Sequence, residues 1–198
     1  LHDENLLDPK KGCELTILQE KNHLWIGRTV AAQNIKAYTL RDIGKPVRDT
    51  TVGLLPPKLA QILLNFGEYL SRNPKSPSER TSVRAGKVQS PKSTVFDPFC
   101  GTGVIPMEAL LRGDNILASD VSQKAVNGTE KNIEWTRKTY KIAKKDLAST
   151  VWKQDATKAF TLSKTMPDMI ITEGSLGPAL LDRPTVKDIE KFVRNADD

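Results

Sequence analysis

Cysteine and histidine are scarce in this chain, which has two residues of each among 198. Cys13 and Cys100 are too few for a disulfide framework, and neither stands at metal-ligand spacing from the other or from a histidine. We therefore predict no metal site and a reducing, cytoplasmic environment. Long apolar runs are also missing, because the longest one, GLLPPKLAQILLNF, is interrupted by two prolines, a lysine and a glutamine. We therefore predict no membrane-spanning segment.

Acidic residues are outnumbered, with 24 Asp and Glu against 30 Lys and Arg, which gives a net charge of +6. Hydrophobic residues make up 38% of the chain, which is enough for a folded core. The basic excess is concentrated in residues 71–93 and 131–145. Two interpretations of these segments stay open, namely solvated surfaces and contacts with the phosphates of a nucleic acid.

The first third of the sequence indicates a β-hairpin followed by a helix. Two β-rich runs in CELTILQEKNHLWIGRTVAA flank the polar turn QEKNH, and the stretch QNIKAYTLRDIGKPVRDTTVG reads as a connector. Pro56 and Pro57 suit the start of a helix, where a missing N–H has no partner to lose. Apolar residues follow at helical spacing until Asn73-Pro74, namely Leu59, Ile62, Leu63, Phe66 and Leu70.

After Ser93 the pattern alternates between strands and helices. The predicted strands are STVFD, NILASD, STVWKQDA and DMIITEG, and the predicted helices are GVIPMEALLRG, residues 123–142 and TVKDIEKFVRN. Ser122 is the expected N-cap of the second helix, and Gly128 leaves a break inside it open. This alternation predicts an α/β domain with a parallel sheet. We divide the chain into a hairpin and connector over 1–50 and a larger domain over 51–198, with a mobile basic loop at 71–93.

The stretch DPFCGTGVIP lies between a strand and a helix, where glycine-rich loops bind nucleotide-like ligands. A dinucleotide fingerprint would need a small residue where Pro106 stands. Asp97 also precedes the loop, where a carboxylate would repel a pyrophosphate and attract an ammonium group. We therefore predict S-adenosyl-L-methionine (SAM), with Asp97 facing its amino group, as the ligand.

The roles of the two loop glycines and of two further acids are predicted from their positions relative to the strands and the loop. Gly101 and Gly103 let the backbone approach the ligand, Asp120 accepts hydrogen bonds from the ribose hydroxyls, and Asp155 accepts from the adenine amine. Turn or capping roles for the acids stay open, above all for Asp155. Cys100 is read as a packing residue rather than a nucleophile.

DPFCGTG, with LPPKLAQILLNF before it and ASDVSQKAVNGTEKNIEW after it, resembles class I SAM-dependent methyltransferases. The similarity covers roughly Thr29 to Arg183 and is greatest to the THUMP-associated, archaeal-type branch that methylates the exocyclic amine of a guanosine in tRNA. The resemblance implies a Rossmann-like class I methyltransferase fold and a cofactor site that Pro57 helps to close. The cofactor-binding set expected from the loop and strand ends is Pro57, Asp97, Pro98, Phe99, Cys100, Gly101, Thr102, Gly103, Asp120, Val121, Asp155 and Ala156.

The sequence departs from this family in two respects. The family's catalytic motif is Asp or Asn, then Pro-Pro and an aromatic residue, whereas Glu173, Gly174, Ser175 and Leu176 stand here. We assign orientation or deprotonation of the amine to Glu173, with Gly174 and Ser175 in the same catalytic segment. A turn that only shapes this loop is the alternative. In addition, the family's sheet has seven strands and only four are predicted here, which implies a sheet that is truncated after its fourth core strand.

The leading hypothesis is a SAM-dependent methyltransferase that acts on a nitrogen of RNA, most simply a guanosine amine in tRNA. A methyltransferase-like module that binds RNA or a partner without catalysis is the main alternative, and the degenerate catalytic segment supports it. Methylation of a protein or a small molecule also stays open. The sequence does not identify the target nucleotide, the oligomeric state or an attached THUMP domain.

Overall fold

The structure is a computed structural model that describes residues 10–49, 54–72, 92–160, 166–174 and 185. The chain forms two compact units, residues 1–41 and residues 42–198. The predicted C-terminal helix, most of the basic loop and the predicted catalytic residue Ser175 lie outside the described residues. No helix among the described residues is both long enough and apolar enough to cross a membrane.

The first unit contains the predicted hairpin. Strands β1 (Leu15–Glu20) and β2 (His23–Arg28) pair antiparallel, and Lys21 takes a left-handed conformation, with φ of 45°, in the turn between them. Many apolar side chains of both strands are exposed, among them Leu18, Trp25 and Ile26. The hairpin prediction is confirmed.

The prediction of a plain connector after the hairpin is wrong, because residues 35–42 form helix α1 (Ile35–Asp42). Asn34 caps this helix, since its Oδ1 accepts the Ala37 N–H at 3.0 Å. Near its end the guanidinium of Arg41 lies 4.5 Å from the ring centroid of Tyr38. Gly44 and Pro46, which suggested the connector, follow the helix instead of replacing it.

Helix α2 (Pro57–Arg72) belongs to the second unit and starts and ends where the prolines predict. Of the apolar residues that predicted it, Ile62 and Phe66 are exposed, whereas Leu63 packs against the core. The buried side carries Ala60 and Leu64, and Gly67 lies on the same side. A Cβ on Gly67 would lie 2.1 Å from Cδ1 of Ile171, so the glycine lets α2 approach the sheet closely.

The described residues form a sheet of four parallel strands, as predicted. They are β3 (Thr94–Asp97), β4 (Asn115–Asp120), β5 (Ser149–Lys153) and β6 (Met169–Ile170), and their spatial order is β5-β4-β3-β6. Helix α3 (Val104–Arg112) connects β3 to β4, and helix α4 (Gln123–Tyr140) connects β4 to β5. Ser122 caps α4 as expected, and α4 continues without a break through Gly128.

One face of the sheet forms the core with the helices, because its alternating apolar side chains are buried among those of α2, α3 and α4. This cluster includes Val95, Ile116, Ala118, Met169 and Ile171 from the strands, and Leu64, Leu110 and Ile133 from the helices. On the other face Phe96 stacks on Trp152 at 5.6 Å between ring centroids and meets Phe160 edge-on at 5.2 Å. The sheet is therefore packed on both sides of β3, which fixes the strand end that carries Asp97.

Candidate functional site

Three acidic residues meet at the carboxyl edge of the sheet. Asp97 ends β3, Asp120 ends β4, and Glu173 follows β6 on the other side of β3. In a parallel sheet the carboxyl ends of neighbouring strands lie at the same edge, which is where ligands bind in open α/β folds. The charges of Asp120 and Glu173 both act on Asp97, so the three carboxylates form one electrostatic cluster.

Asp97 is buried, with 2% of its surface exposed, yet only one of its two carboxylate oxygens accepts hydrogen bonds from the described residues. The Phe99 N–H and the Thr172 hydroxyl both donate to Oδ1, at 3.2 and 2.7 Å. No described residue donates to Oδ2. One oxygen is therefore fixed by the protein, and the other has free acceptor capacity for a ligand.

Burial raises the pKa of Asp97 to about 7. The hydrogen bonds from Thr172 and Phe99 oppose this shift, while the negative charges of Asp120 and Glu173 add to it. A cationic group beside Asp97 would counter both the burial and the repulsion. A carboxyl group with a perturbed pKa at such an edge is a candidate ligand contact.

Asp120 fastens the glycine-rich loop to the end of β4. Its Oδ2 accepts the Gly101 N–H at 3.0 Å, and its Oδ1 accepts the Ser122 N–H at 2.9 Å. The Cys100 N–H donates to the Ser119 carbonyl at 2.9 Å, so the loop is bonded to β4 at two adjacent positions. Each Asp120 oxygen keeps a second lone pair, which two neighbouring hydroxyl groups could use.

Both glycines of the loop have left-handed backbones, with φ of 51° at Gly101 and 83° at Gly103. A Cβ on Gly101 would meet nothing within 4 Å, whereas a Cβ on Gly103 would lie 2.9 Å from Cγ2 of Thr129. Gly103 therefore serves packing as well as backbone geometry, and Gly101 leaves open space above the loop. Helix α3 starts directly after Gly103, and Pro106 lies in its first turn as predicted.

Two buried polar residues of α4, Thr129 and Asn132, donate hydrogen bonds to the backbone of this loop. Neither was predicted from the sequence. The Thr129 hydroxyl donates to the Gly101 carbonyl at 2.8 Å. The Asn132 amide donates to the carbonyls of Thr102 and Val47, at 2.7 and 2.9 Å, and accepts the Val47 N–H at 2.9 Å. Asn132 thus joins the loop to the segment before α2. Polar residues on the buried, otherwise apolar stripe of α4 were the available signal.

Cys100 is buried in the loop and accepts a hydrogen bond from the Thr129 hydroxyl at 3.5 Å. Burial raises the pKa of its thiol to about 12, and the nearby charges of Asp97 and Asp120 act in the same direction. A thiol of this kind stays protonated near neutral pH and is a poor nucleophile. The geometry therefore agrees with a packing role.

Asp155 follows β5 at the same edge, but local contacts occupy its carboxylate. Its Oδ1 accepts the N–H and the hydroxyl of Thr157, at 3.0 and 2.7 Å, and Lys158 lies 3.8 Å from its Oδ2. These contacts lower its pKa, with the Thr157 hydrogen bonds as the main cause. This is the turn geometry that the sequence left open as the alternative. Ala156, next to it, is half-buried.

The other predicted cofactor residues surround the loop to different degrees. Phe99 and Val121, each adjacent in sequence to the loop or to Asp120, are 48% and 63% exposed and offer apolar surface to a ligand. Pro98 and Thr102 are half-buried. Pro57 is buried at the start of α2, and no described contact links it to the acids.

The predicted catalytic segment is described as far as Gly174. Ile171 extends the pairing of β6, since its N–H donates to the Phe96 carbonyl at 2.9 Å, and Thr172 then bonds to Asp97. Glu173 is half-buried and Gly174 is exposed. Glu173 thus stands beside Asp97 at the ligand edge, and Thr172 is a further site residue that sequence reasoning missed.

Comparison with known proteins gives both sequence relatives and structural neighbours. The chain is 32% identical over 82 residues to a tRNA (guanine(10)-N2)-dimethyltransferase of Methanothermobacter thermautotrophicus, covering 41% of this chain and 18% of that protein. It is 28% identical over 97 residues to a "Probable tRNA (guanine(10)-N2)-dimethyltransferase" of Methanothermococcus thermolithotrophicus, covering 48% and 57%. The N-terminal domain of human METTL16 in complex with SAH aligns with a TM-score of 0.44 at 14% identity, covering 80% and 57%.

The chain therefore spans only a part of the curated relatives that it matches. Residues 84–184 match the UPF0020 family, which is described as an RMKL-like methyltransferase domain. These residues include the glycine-rich loop, Asp97, Asp120 and Glu173. Because the match spans about half of the 198 residues, the chain belongs to the RMKL-like methyltransferase domain family.

Proposed function

We propose that this chain transfers a methyl group from SAM to the exocyclic amine of a guanosine in tRNA. The observation that carries the proposal is the half-used, buried carboxylate of Asp97 at the head of a glycine-rich loop. Family membership supports methyl transfer as the reaction, and the tRNA (guanine-N2)-dimethyltransferases among the relatives support the substrate. We infer a cytoplasmic location from the same substrate.

The residues present fit SAM group by group. Oδ2 of Asp97 can accept from the amino group of the methionine part, which is cationic at neutral pH. The second lone pairs of Asp120 suit the two ribose hydroxyls. Helix α3 begins directly after the loop, and the N-terminus of a helix favours an anionic group, which the methionine carboxylate supplies. Val121, exposed beside Asp120, offers an apolar surface to the adenine ring.

When SAM is bound, it supplies an electrophilic methyl group on a sulfonium. The chain's own task is to align the acceptor amine with that methyl and to take up one proton. Glu173 stands at the same edge as Asp97, where its carboxylate can accept a hydrogen bond from the amine N–H. That contact holds the amine in line and gives the proton a place to go.

Methyl incorporation from labelled SAM into bulk tRNA tests the proposal. We expect Glu173→Gln to lower the turnover number by about tenfold or more, because an orienting or accepting carboxylate is lost. Binding of SAM should change little, because Glu173 is assigned to the acceptor amine and not to the cofactor. Glu20→Gln, which changes an exposed carboxylate in β1, serves as the matched control. Equal incorporation by the Glu173→Gln variant and the wild type would remove Glu173 from catalysis.

A non-catalytic RNA-binding module is the second candidate, and one observation favours it. Glu173 and Gly174 stand where the family motif has an acid or amide and a proline, so the usual catalytic segment is altered. Under this reading the chain binds SAM and RNA but transfers no methyl group. Nucleoside analysis of treated tRNA by mass spectrometry separates the two, because only an enzyme produces N2-methylguanosine.

A further inference from the structure

A groove between helix α4 and strand β5 is lined by charged side chains together with the apolar side chains of Pro46, Ile133, Trp135 and Val151. Its volume is about 630 Å³, and it is bordered by Ser149 and Val151 of β5 and by residues of α4 from Glu130 to Lys138. Lys144, from the loop after α4, also lines it. β5 is the outermost strand on this side of the described sheet. The groove is thus separate from the glycine-rich loop.

The charge of the groove is positive. Four cationic residues line it against two carboxylates, namely Lys131, Arg137, Lys138 and Lys144 against Glu130 and Glu134. Arg137 is buried and serves the fold, since it donates to the Leu147 carbonyl at 2.7 Å and to Oγ of Ser149 at 3.1 Å. The three lysines and the two glutamates that remain give the groove a net charge of +1.

Two of these lysines are held loosely by one acid. Glu134 lies 3.4 Å from Nζ of Lys144 and 3.6 Å from Nζ of Lys138, and both lysine side chains are more than three-quarters exposed. The Lys144 hydrogen bond and charge, followed by Lys138, hold the pKa of Glu134 below its usual value. Exposed ion pairs of this kind contribute little to stability, so the two lysines can pair with the phosphates of a polyanion in place of Glu134.

An aromatic ring stands between the cations. Lys131, Trp135 and Lys138 follow at spacings of four and three residues on α4, so they lie on one face of the helix. Trp135 is half-buried and lines the groove. A solvated, salt-bridged helix face has no need for a tryptophan at its centre. Nucleic-acid grooves combine such rings, which stack on bases, with cations that contact phosphates.

Helix α4 connects the groove to the edge of the sheet that carries the proposed active site. It begins at Gln123, three residues after Asp120, and rises about 1.5 Å per residue. Lys131 is therefore about 12 Å, and Lys138 about 22 Å, further along the helix than Gln123. If a base enters the carboxyl edge of the sheet, the strand that carries it can continue along α4.

We propose that the groove between α4 and β5 binds the sugar–phosphate backbone of the RNA substrate, with one base against Trp135. The lysines 131, 138 and 144 contact phosphates. This inference rests on the proposed function, because RNA is the substrate there, and it adds a contact surface outside the catalytic edge. It takes the phosphate-contact interpretation of residues 131–145, which the sequence leaves open beside a solvated surface.

The test compares two triple variants of the 198-residue chain, in which Lys131, Lys138 and Lys144 are all changed either to Gln or to Arg. Binding of a fluorescent tRNA transcript is measured by anisotropy between 50 and 300 mM salt. The Gln variant should bind about 10- to 100-fold more weakly at 0.1 M salt, and its salt slope should fall by about two to three. The Arg variant keeps the charge and should bind like the wild type. An unchanged affinity and slope in the Gln variant overturns the proposal.

Trp135 gives an independent readout. Trp135→Phe should retain most of the RNA affinity, whereas Trp135→Leu should lose about tenfold or more, because a leucine cannot stack on a base. Circular dichroism and the melting temperature show whether each variant is folded. Equal binding by folded Leu and Phe variants overturns the stacking contact. Polyglutamate that binds as tightly as RNA, with the same lysine dependence, would instead assign the groove to an acidic protein.

Binding of SAM separates this inference from the proposed function. The lysine and Trp135 variants should bind SAM like the wild type, because none of them touches the glycine-rich loop. If the Gln variant methylates tRNA with the wild-type KM, the groove does not bind the substrate RNA, and the proposed methyltransferase function stands. If RNA binding depends on the groove but the chain binds no SAM, the groove proposal stands and the proposed methyltransferase function is overturned.

Discussion

Replacing Asp97 with asparagine removes one negative charge at nearly constant side-chain size. In the proposed complex the Asp97 carboxylate accepts a charge-assisted hydrogen bond from the SAM ammonium, and such bonds contribute about 1.5–3 kcal/mol. Asp97→Asn should therefore raise the Kd for SAM by about 10- to 150-fold at pH 7.5. The amide oxygen can still accept from Thr172 and Phe99, so the loop should keep its shape.

The same variant should change stability in the opposite direction. The pKa of Asp97 is about 7 in the folded chain against an ordinary value of 3.8, so the folded carboxylate is disfavoured by on the order of 4 kcal/mol. Between these two values the unfolded chain is ionised and the folded chain is not, so wild-type stability falls as pH rises. Asp97→Asn lacks this loss and should be more stable by about 1–3 kcal/mol at pH 8.

The affinity of the wild type for SAM should also depend on pH. Below about pH 7 the binding of a cation must first remove a proton from Asp97, so affinity falls by up to about tenfold per pH unit. Above about pH 8 the amino group of the ligand loses its charge. Titration calorimetry should thus give the tightest binding between pH 7 and 8, with the acid limb absent in Asp97→Asn. An acid limb of equal steepness in both proteins would refute the role of Asp97.

Three further substitutions and one chemical treatment test the loop. Gly103→Ala should lower the free energy of unfolding by about 2–4 kcal/mol in a urea titration, because a left-handed alanine would also press on Thr129. Gly101→Ala should lose only about 1–2 kcal/mol and act mainly on SAM affinity, and equal losses for both glycines would contradict this. Asn132→Ala should lower the unfolding free energy by about 3 kcal/mol, since three partly buried backbone groups lose their hydrogen-bond partner, and a loss below 1 kcal/mol would count against this role of Asn132. Iodoacetamide at pH 8 should label exposed Cys13 and spare Cys100, as mass spectrometry can show, and comparable labelling of both would contradict the buried, high-pKa thiol.

The sequence was sufficient for most of the fold because hydrophobic periodicity survives in the packed structure. The four strands, the three long helices of the described residues and the hairpin lie where the patterns place them. Helix α1 was not predicted because Gly44 and Pro46 indicate a loop, although Asn34 is an ordinary N-cap. In the sequence the loop signals of the glycine and the proline outweigh the N-cap signal of the asparagine.

The orientation of α2 was beyond the sequence for a different reason. Its larger apolar residues, such as Ile62 and Phe66, follow one another at helical spacing and are nevertheless exposed. The packed side carries Ala60, Leu64 and Gly67, and Gly67 lies against Ile171, a residue about a hundred positions away in the sequence. A helical spacing identifies a helix, whereas the face that it buries depends on the shape of its neighbours.

The site shows the same division. The predicted positions of Asp97 and Asp120 at neighbouring strand ends are confirmed, because a strand, a turn and a helix fix their spacing around the loop, and their contacts with the cofactor stay a prediction. Thr172 and Asn132 were not found, because each acts through a partner that is distant in sequence, at positions 97 and 102. The two acids stand on adjacent strands, whereas their supporting residues come from other elements.

Calorimetric titration with SAM at pH 7.5 tests the central claim most directly, with the wild type compared with Asp97→Asn and Asp120→Asn. We expect one site in the wild type, a Kd raised about 10- to 150-fold in Asp97→Asn, and a weaker loss in Asp120→Asn, whose amide oxygen can still accept one hydrogen bond. No binding by the folded wild type, or equal binding by all three proteins, would contradict the claim that these two acids and the glycine-rich loop hold the cofactor.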